Sequence, residues 1–156
     1  MVSEHHLKAL QEIEARLRGS GVEWAVAGSV GLALQGVEVQ PRDLDIQTDA
    51  QGAYEIERLF AEHSIRKVRH SAAERVQSHY GALNIGGVEV EIMGDLQTRE
   101  VGGAWSAPED VKEHRVWVRV EGMNLPVLPL DYSIEAYRRL GRTEKVDLLE
   151  RWLRRQ

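Results

Sequence analysis

The alternation of apolar and polar positions changes period several times along the chain, and each change marks an element. Leu7, Leu10, Ile13 and Leu17 recur at helical spacing between Ser3 and Arg18; Ser3 is placed to cap this helix and Gly19 to end it. From Val22 the period shortens to two, with Val22, Trp24 and Val26 alternating against Glu23, Ala25 and Ala27 as in a strand. Gly28 and Ser29 then turn the chain into a short apolar helix, Val30 to Gln35, stopped by Gly36. After Pro41 a second strand, Asp43 to Gln47, splits by parity. Leu44 and Ile46 point to one face, Asp43 and Asp45 to the other.

The rest of the chain continues the alternation of helices and strands. Thr48 to Gln51 carries a capping signal for a long helix running to about Glu62, with Ala53, Ile56, Leu59 and Phe60 on its buried side. Ser64 to His70 reads as a polar edge strand. His79 to Ile85 and Val88 to Met93 are strands joined by a Gly86-Gly87 hairpin turn, and Gly94-Asp95 is expected to end the second. Thr98 to Pro108 reads as a loop carrying Trp105. Val116, Val118 and Val120 form a further strand, followed by Leu125 to Leu128, which Pro126 and Pro129 place at a sheet edge. Two short helices close the chain. The first is marked by Ile134, Tyr137 and Leu140; the second is capped by Thr143 and striped by Val146, Leu149 and Leu153.

This order predicts an α/β (α+β) fold: a mixed sheet with helices packed on one face and a short C-terminal helical tail. At 156 residues, with no internal repeat and no long linker, a single domain over 1–156 is expected, with 131–156 as a helical extension. The net charge of −5 argues against a broad nucleic-acid-binding surface. The chain has no cysteine, which excludes disulfides and thiolate zinc sites. No apolar run reaches the ~20 residues of a membrane span. The N-terminus lacks the apolar stretch of a signal peptide, so a cytoplasmic protein is the expectation.

The candidate chemistry sits on the Gly-Ser turn and the acidic strands. Two like charges on one strand face, about 6.6 Å apart along the backbone, repel each other unless a cation lies between them. Asp43 and Asp45 therefore predict a divalent metal. Gly28 leaves room for a close ligand, and the helix it opens presents free N–H groups that favour an anion. A phosphate there, with Mg²⁺ on the aspartates, would constitute a nucleoside triphosphate site. The segment has neither the Lys-Ser/Thr of a P-loop nor the spacing of a dinucleotide fingerprint.

Together Gly28-Ser29, Asp43-Leu44-Asp45-Ile46 and Val90-Glu91-Ile92 resemble the DNA polymerase β-like nucleotidyltransferase superfamily. The tail from Leu140 to Asp147, with Arg142 and Lys145, resembles its small bacterial branches: minimal or antitoxin-type, lincosamide-type and toxin-like. The resemblance implies a transferase that moves a nucleoside monophosphate from an NTP to an acceptor hydroxyl, releasing pyrophosphate. Asp43, Asp45 and Glu91 would be the catalytic and metal-binding acids for two Mg²⁺ ions, with Mn²⁺ as the alternative. Gly28, Ser29 and Arg42 would bind the nucleotide. Many relatives carry a hydroxyl residue or histidine two positions before the first aspartate and an arginine two before that; here Pro41 and Val39 stand there, and Arg42 offers a phosphate contact instead.

Glu89 shares the face of Glu91 but lies beside the hairpin turn, where solvent is expected, so Glu91 is preferred as third acid. Arg142 and Lys145 are expected as helix-end charges. His5 and His6 diverge on a solvated first turn, His70 and His79 lie at the surface, and Trp105 and Trp117 pack at the core or edge. The acceptor (antibiotic, protein hydroxyl or RNA end) stays open. The alternative to an enzyme is a catalytically weak binding module or toxin–antitoxin component.

Overall fold

The computed structural model describes residues 2–156. Helix α1 (Glu4–Leu17) starts where Ser3 Oγ accepts the His6 N–H, and it buries Ala9, Leu10, Ile13 and Leu17. Strand β1 is only Ala25–Ala27, after which Gly28 turns at φ +64° directly into α2 (Gly28–Leu34). Strand β2 (Leu44–Thr48) feeds α3 (Ala50–Leu59), whose first turn is capped by Asp49, and a 3₁₀ turn over Ala61–His63 follows. Strands β3 (Ser64–Ala72), β4 (Val76–Ile85) and β5 (Val88–Thr98) form a meander. Helix α4 (Val111–His114), strands β6 (Val116–Val120) and β7 (Met123–Val127), and helices α5 (Leu130–Arg139) and α6 (Thr143–Arg154) complete the chain.

The seven strands form one mixed sheet in the order β3-β4-β5-β2-β1-β7-β6. The β2–β5 and β1–β7 pairs are parallel and the others antiparallel. Helices α1 and α3, with Phe60, pack on the face formed by Val26, Leu44, Ile46, Val90, Ile92, Leu125 and Val127. Burial of each large side chain in this layer stabilises by about 1.5–3 kcal/mol. Because strand side chains alternate, the same burial turns Asp45, Gln47, Glu89 and Glu91 to the opposite face. That face is covered beside β1, where Ala25 and Ala27 meet Val111, Leu128 and Tyr132. A second cluster, Leu32, Val37, Ile134, Val146 and Leu149, ties α2 to the α5–α6 pair. This packing brings the start of α6 beside the start of α2.

Several sequence expectations are corrected. Strand β5 does not end at Gly94-Asp95. Asp95 adopts φ 51° and the strand continues to Thr98, with the register against β4 shifting between Gln77 and His79. One residue in the left-handed region absorbs the extra length as a bulge. Strand β7 is not at the edge: it lies between β1 and β6, and β6 is the outer strand. Its contact with β1 registers only at Val26 and Val127, so the missing N–H of Pro126 is tolerated. Thr143 is the first residue of α6 rather than its cap, Leu153 is exposed, and α3 ends at Leu59. Among the described residues, no helix is long and apolar enough to cross a membrane.

Candidate active site

The parallel pairing of β2 with β5 sets Asp45 opposite Glu91 and Leu44 opposite Val90. Glu91 and Glu89 stand beside the two aspartates, four carboxylates on the face away from α1 and α3. Asp43, Glu89 and Glu91 each offer an oxygen, and these oxygens lie within 4.8 Å of one another. The expectation that Glu89 would point into solvent beside the hairpin is thereby corrected: it is half-buried and joins the acidic group. Strand rise alone separates Glu89 from Glu91, but long glutamate side chains on a twisted sheet can converge on the shorter Asp43.

Asp45 is strongly perturbed. Burial, together with the charge of Glu91, a hydrogen bond to it and the charge of Asp43, pushes its carboxyl up to about 8. A cation among these side chains would remove that cost, and carboxylate oxygens are the hard donors that Mg²⁺ takes. The residues present therefore fit a divalent ion. Glu91 is fixed from the other side, where the Tyr80 hydroxyl donates to its Oε1 at 2.8 Å. Burial and this bond push the Tyr80 phenol up to about 12, so it stays a donor. Arg66 covers the Tyr80 ring at 5.7 Å.

A cavity of about 520 Å³ opens over this face, and Gly28, Ser29, Arg42, Asp43, Asp45 and Glu91 all line it. All six residues singled out in the sequence thus reach one site. Gly28 passes close to Asp45: a Cβ there would lie 2.3 Å from Oδ2. Ala27, the cap residue of α2, makes no side-chain cap bond, so the N–H groups of the first turn face the cavity mouth without that partner. Ser29 Oγ accepts the Arg42 N–H at 2.9 Å and keeps its own proton to donate elsewhere.

Sequence reasoning missed the far wall. Arg142 and Lys145, expected as helix-end charges, line the same cavity together with Tyr137 and Leu148. Burial first, then Arg142 and Arg42, lowers the Lys145 ammonium pKa. Arg142 also stacks on the Tyr137 ring at 5.3 Å. Three cations therefore face the carboxylates. Their placement depends on the α2–α5–α6 cluster, and the only sequence signal was two basic residues in the tail.

His6 is likewise not a free surface residue, since its Nε2 lies 2.6 Å from the Arg42 carbonyl. Of the remaining candidates, His70 on β3 and His79 on β4 stack edge to face, and Trp117 is exposed on β6. None of these three lines the cavity. A second opening of about 780 Å³ lies along the sheet, lined by Glu109, Asp110, Glu113, Asp131, Glu135 and Tyr132 among others. Its Tyr132 hydroxyl donates to Gln47, two residues along β2 from Asp45.

The sequence profile of the aminoglycoside-2''-adenylyltransferase family matches residues 9–151. The crystal structure of a candidate nucleotidyltransferase from Thermotoga maritima is 46% identical, with TM-score 0.86 over 100% of this chain and 97% of that one. The lincosamide antibiotic adenylyltransferase LnuA, with lincomycin bound, superposes with TM-score 0.57 at 14% identity, covering 96% of this chain and 97% of its own. The antibiotic-resistance factor ANT(2'')-Ia, in complex with adenylyl-2''-tobramycin, gives TM-score 0.54 at 14% identity, covering 94% and 88%. At such identities these last two show the fold alone. Among curated proteins, none matches the chain.

Proposed function

This chain belongs to the aminoglycoside-2''-adenylyltransferase family and is a nucleotidyltransferase, and on that premise we propose that it transfers AMP from ATP to a hydroxyl of a small cationic acceptor, releasing pyrophosphate. The observation that supports this reading is that Asp43, Asp45 and Glu91 line one cavity with the Gly28-Ser29 turn. Asp43, Asp45 and Glu91 would hold Mg²⁺, with Glu89 in reach. When bound, the metal supplies positive charge to the triphosphate and acidifies the acceptor hydroxyl.

The protein's own groups account for the rest. Gly28 lets the phosphates approach the backbone, and the Ser29 hydroxyl donates to them. Arg42, Arg142 and Lys145 offset the negative charge of the leaving pyrophosphate, a contribution realised mainly by fixed groups in a desolvated site. Glu91, oriented by Tyr80, faces the acceptor and takes its proton. The acceptor oxygen then forms a bond to the α-phosphorus as the bond to the bridging oxygen breaks, and pyrophosphate departs. Positioning contributes much of the acceleration.

The family match supports an adenylyl donor. The cationic acceptor is supported by the opening along the sheet, where Glu109 pairs with His114 and Glu135 with Arg139, so that the acidic excess rests on Asp110, Glu113 and Asp131; Tyr132 and Gln47 connect it to the acid strand. Pyrophosphate release from ATP and Mg²⁺ tests both parts, with tobramycin, lincomycin or no acceptor added. Acceptor-dependent release with tobramycin is the expected result. No binding of ATP–Mg²⁺ would overturn the transfer reading, whereas binding of ATP–Mg²⁺ with no stimulation of release by either cationic antibiotic would overturn the choice of acceptor.

A further inference from the structure

We infer that His6, at the start of α1, is a positioning residue for the nucleotide, clamping the Arg42 backbone against Ser29. The inference rests on the proposed nucleotide site but concerns a residue outside it. Helix α1 is anchored by Ala9, Leu10, Ile13 and Leu17 on the opposite face of the sheet, and its first turn reaches the loop that precedes β2 and carries Arg42.

The bonds form a continuous chain. Ser3 Oγ accepts the His6 N–H at 3.2 Å and lies 2.6 Å from His6 Nδ1. His6 Nε2 lies 2.6 Å from the Arg42 carbonyl oxygen. A carbonyl can only accept, so Nε2 carries a proton and donates. Nδ1 meets the Ser3 hydroxyl, and the ring orientation is set from both sides. At the other end of the same residue, the Arg42 N–H donates to Ser29 Oγ at 2.9 Å. One residue is thus held at its N–H by α2 and at its C=O by α1. Neither bond belongs to a helix or strand ladder; both are made by side chains.

This arrangement matters because of what precedes Arg42. Pro41 is buried and has no N–H, so it cannot tie the loop through its own amide. Fixing both backbone groups of Arg42 sets the direction of its side chain, which lines the cavity beside Asp43 and Lys145. It also sets where Asp43 enters β2. A loop held before ligand arrives loses less freedom on binding, which favours affinity over turnover. A positioning role therefore predicts an effect on nucleotide affinity, with chemistry and acceptor affinity little changed.

The test compares His6→Ala, His6→Gln and the wild type. The amide of glutamine can reach the carbonyl that Nε2 reaches, so His6→Gln is the conservative rescue. Three quantities are read: amide hydrogen exchange of the segment 38–43 in the free protein, the Kd of a non-hydrolysable ATP analogue with Mg²⁺, and the KM and kcat of transfer. His6→Ala is expected to speed exchange in that segment and to weaken analogue binding about tenfold, the loss of one charge-neutral hydrogen bond. Its kcat and acceptor KM should stay within about twofold, and His6→Gln should recover most of the affinity. Unchanged exchange in His6→Ala would overturn the clamp, as would faster exchange with unaltered affinity. A parallel fall in melting temperature, kcat and both affinities would reduce His6 to a structural residue. A wild type that binds no nucleotide defeats the parent reading and this one together; a wild type that binds, matched by an equally tight His6→Ala, defeats the clamp alone.

Discussion

A Cβ on Gly28 would lie 2.3 Å from Oδ2 of Asp45. The turn that opens α2 and the acid of β2 are therefore in contact through the absence of a side chain. Gly28 also sits at φ +64°, a region that costs an L-residue about 1–2 kcal/mol. Gly28→Ala should lower the melting temperature and displace the Asp45 carboxylate. Calorimetric titration with ATP and Mg²⁺ should show binding weakened well beyond what the stability loss explains. Parental affinity in a folded Gly28→Ala would mean that the Gly28–Asp45 contact has no part in nucleotide binding.

The raised pKa of Asp45 makes a pH prediction with a definite sign. Between its ordinary value of 3.8 and about 8, the folded chain keeps a proton that the unfolded chain has released. The stabilisation from this group is full below the ordinary value and is lost as pH rises through the folded one. Without divalent metal, the melting temperature should therefore drift down from weakly acidic to weakly basic pH. Asp45→Asn should flatten that drift. Mg²⁺ should raise the melting temperature more at pH 8 than at pH 6, because binding at the lower pH must first expel the proton. Melts with and without Mg²⁺ across this range decide it; an equal Mg²⁺ shift at both pH values would remove Asp45 from the metal site.

Glu91, Glu89 and Tyr80 should separate by what each substitution spares. Glu91→Gln should keep nucleotide binding while transfer falls about 100-fold or more, as for a group acting on the acceptor proton. Tyr80→Phe removes the 2.8 Å bond to Glu91 and should cost about tenfold in kcat with nucleotide KM unchanged. Glu89→Gln should weaken Mg²⁺ activation severalfold, with kcat restored at saturating Mg²⁺. Steady-state kinetics at varied Mg²⁺ resolves the three; a silent Glu89→Gln would restore the sequence-based view that it is a bystander.

The far wall of the cavity gives a further comparison. Arg142→Gln and Lys145→Gln each remove one of the cations facing the carboxylates. Each should raise the KM for ATP about tenfold and leave the acceptor KM unchanged, as expected for charge-assisted phosphate contacts worth more than ~1 kcal/mol. Initial rates of pyrophosphate release at varied ATP measure this directly. If both variants match the wild type, they are helix-end charges after all.

Local pattern made much of this protein legible. The period-two strands and period-3.6 helices follow from burying one face of each element, and that requirement is written in neighbouring residues. It separated Leu44 and Ile46 from Asp43 and Asp45, and Val90 and Ile92 from Glu89 and Glu91, before any strand was paired. The Gly28-Ser29 turn was legible because only a few residue types allow such a sharp entry to a helix.

What the local pattern could not contain was register and packing between distant segments. Which glutamate stands beside which aspartate depends on the parallel pairing of β2 with β5. The bulge at Asp95 depends on the length β4 offers its partner, and the interior position of β7 depends on β1 accepting it. Arg142 and Lys145 enter the cavity because Leu32, Val37, Ile134, Val146 and Leu149 cluster, and His6 reaches Arg42 across 36 residues because α1 packs beneath the sheet. The sequence by itself determined which side chains share a face; only the fold, by summing many weak apolar contacts between remote segments, decided which of those faces meet.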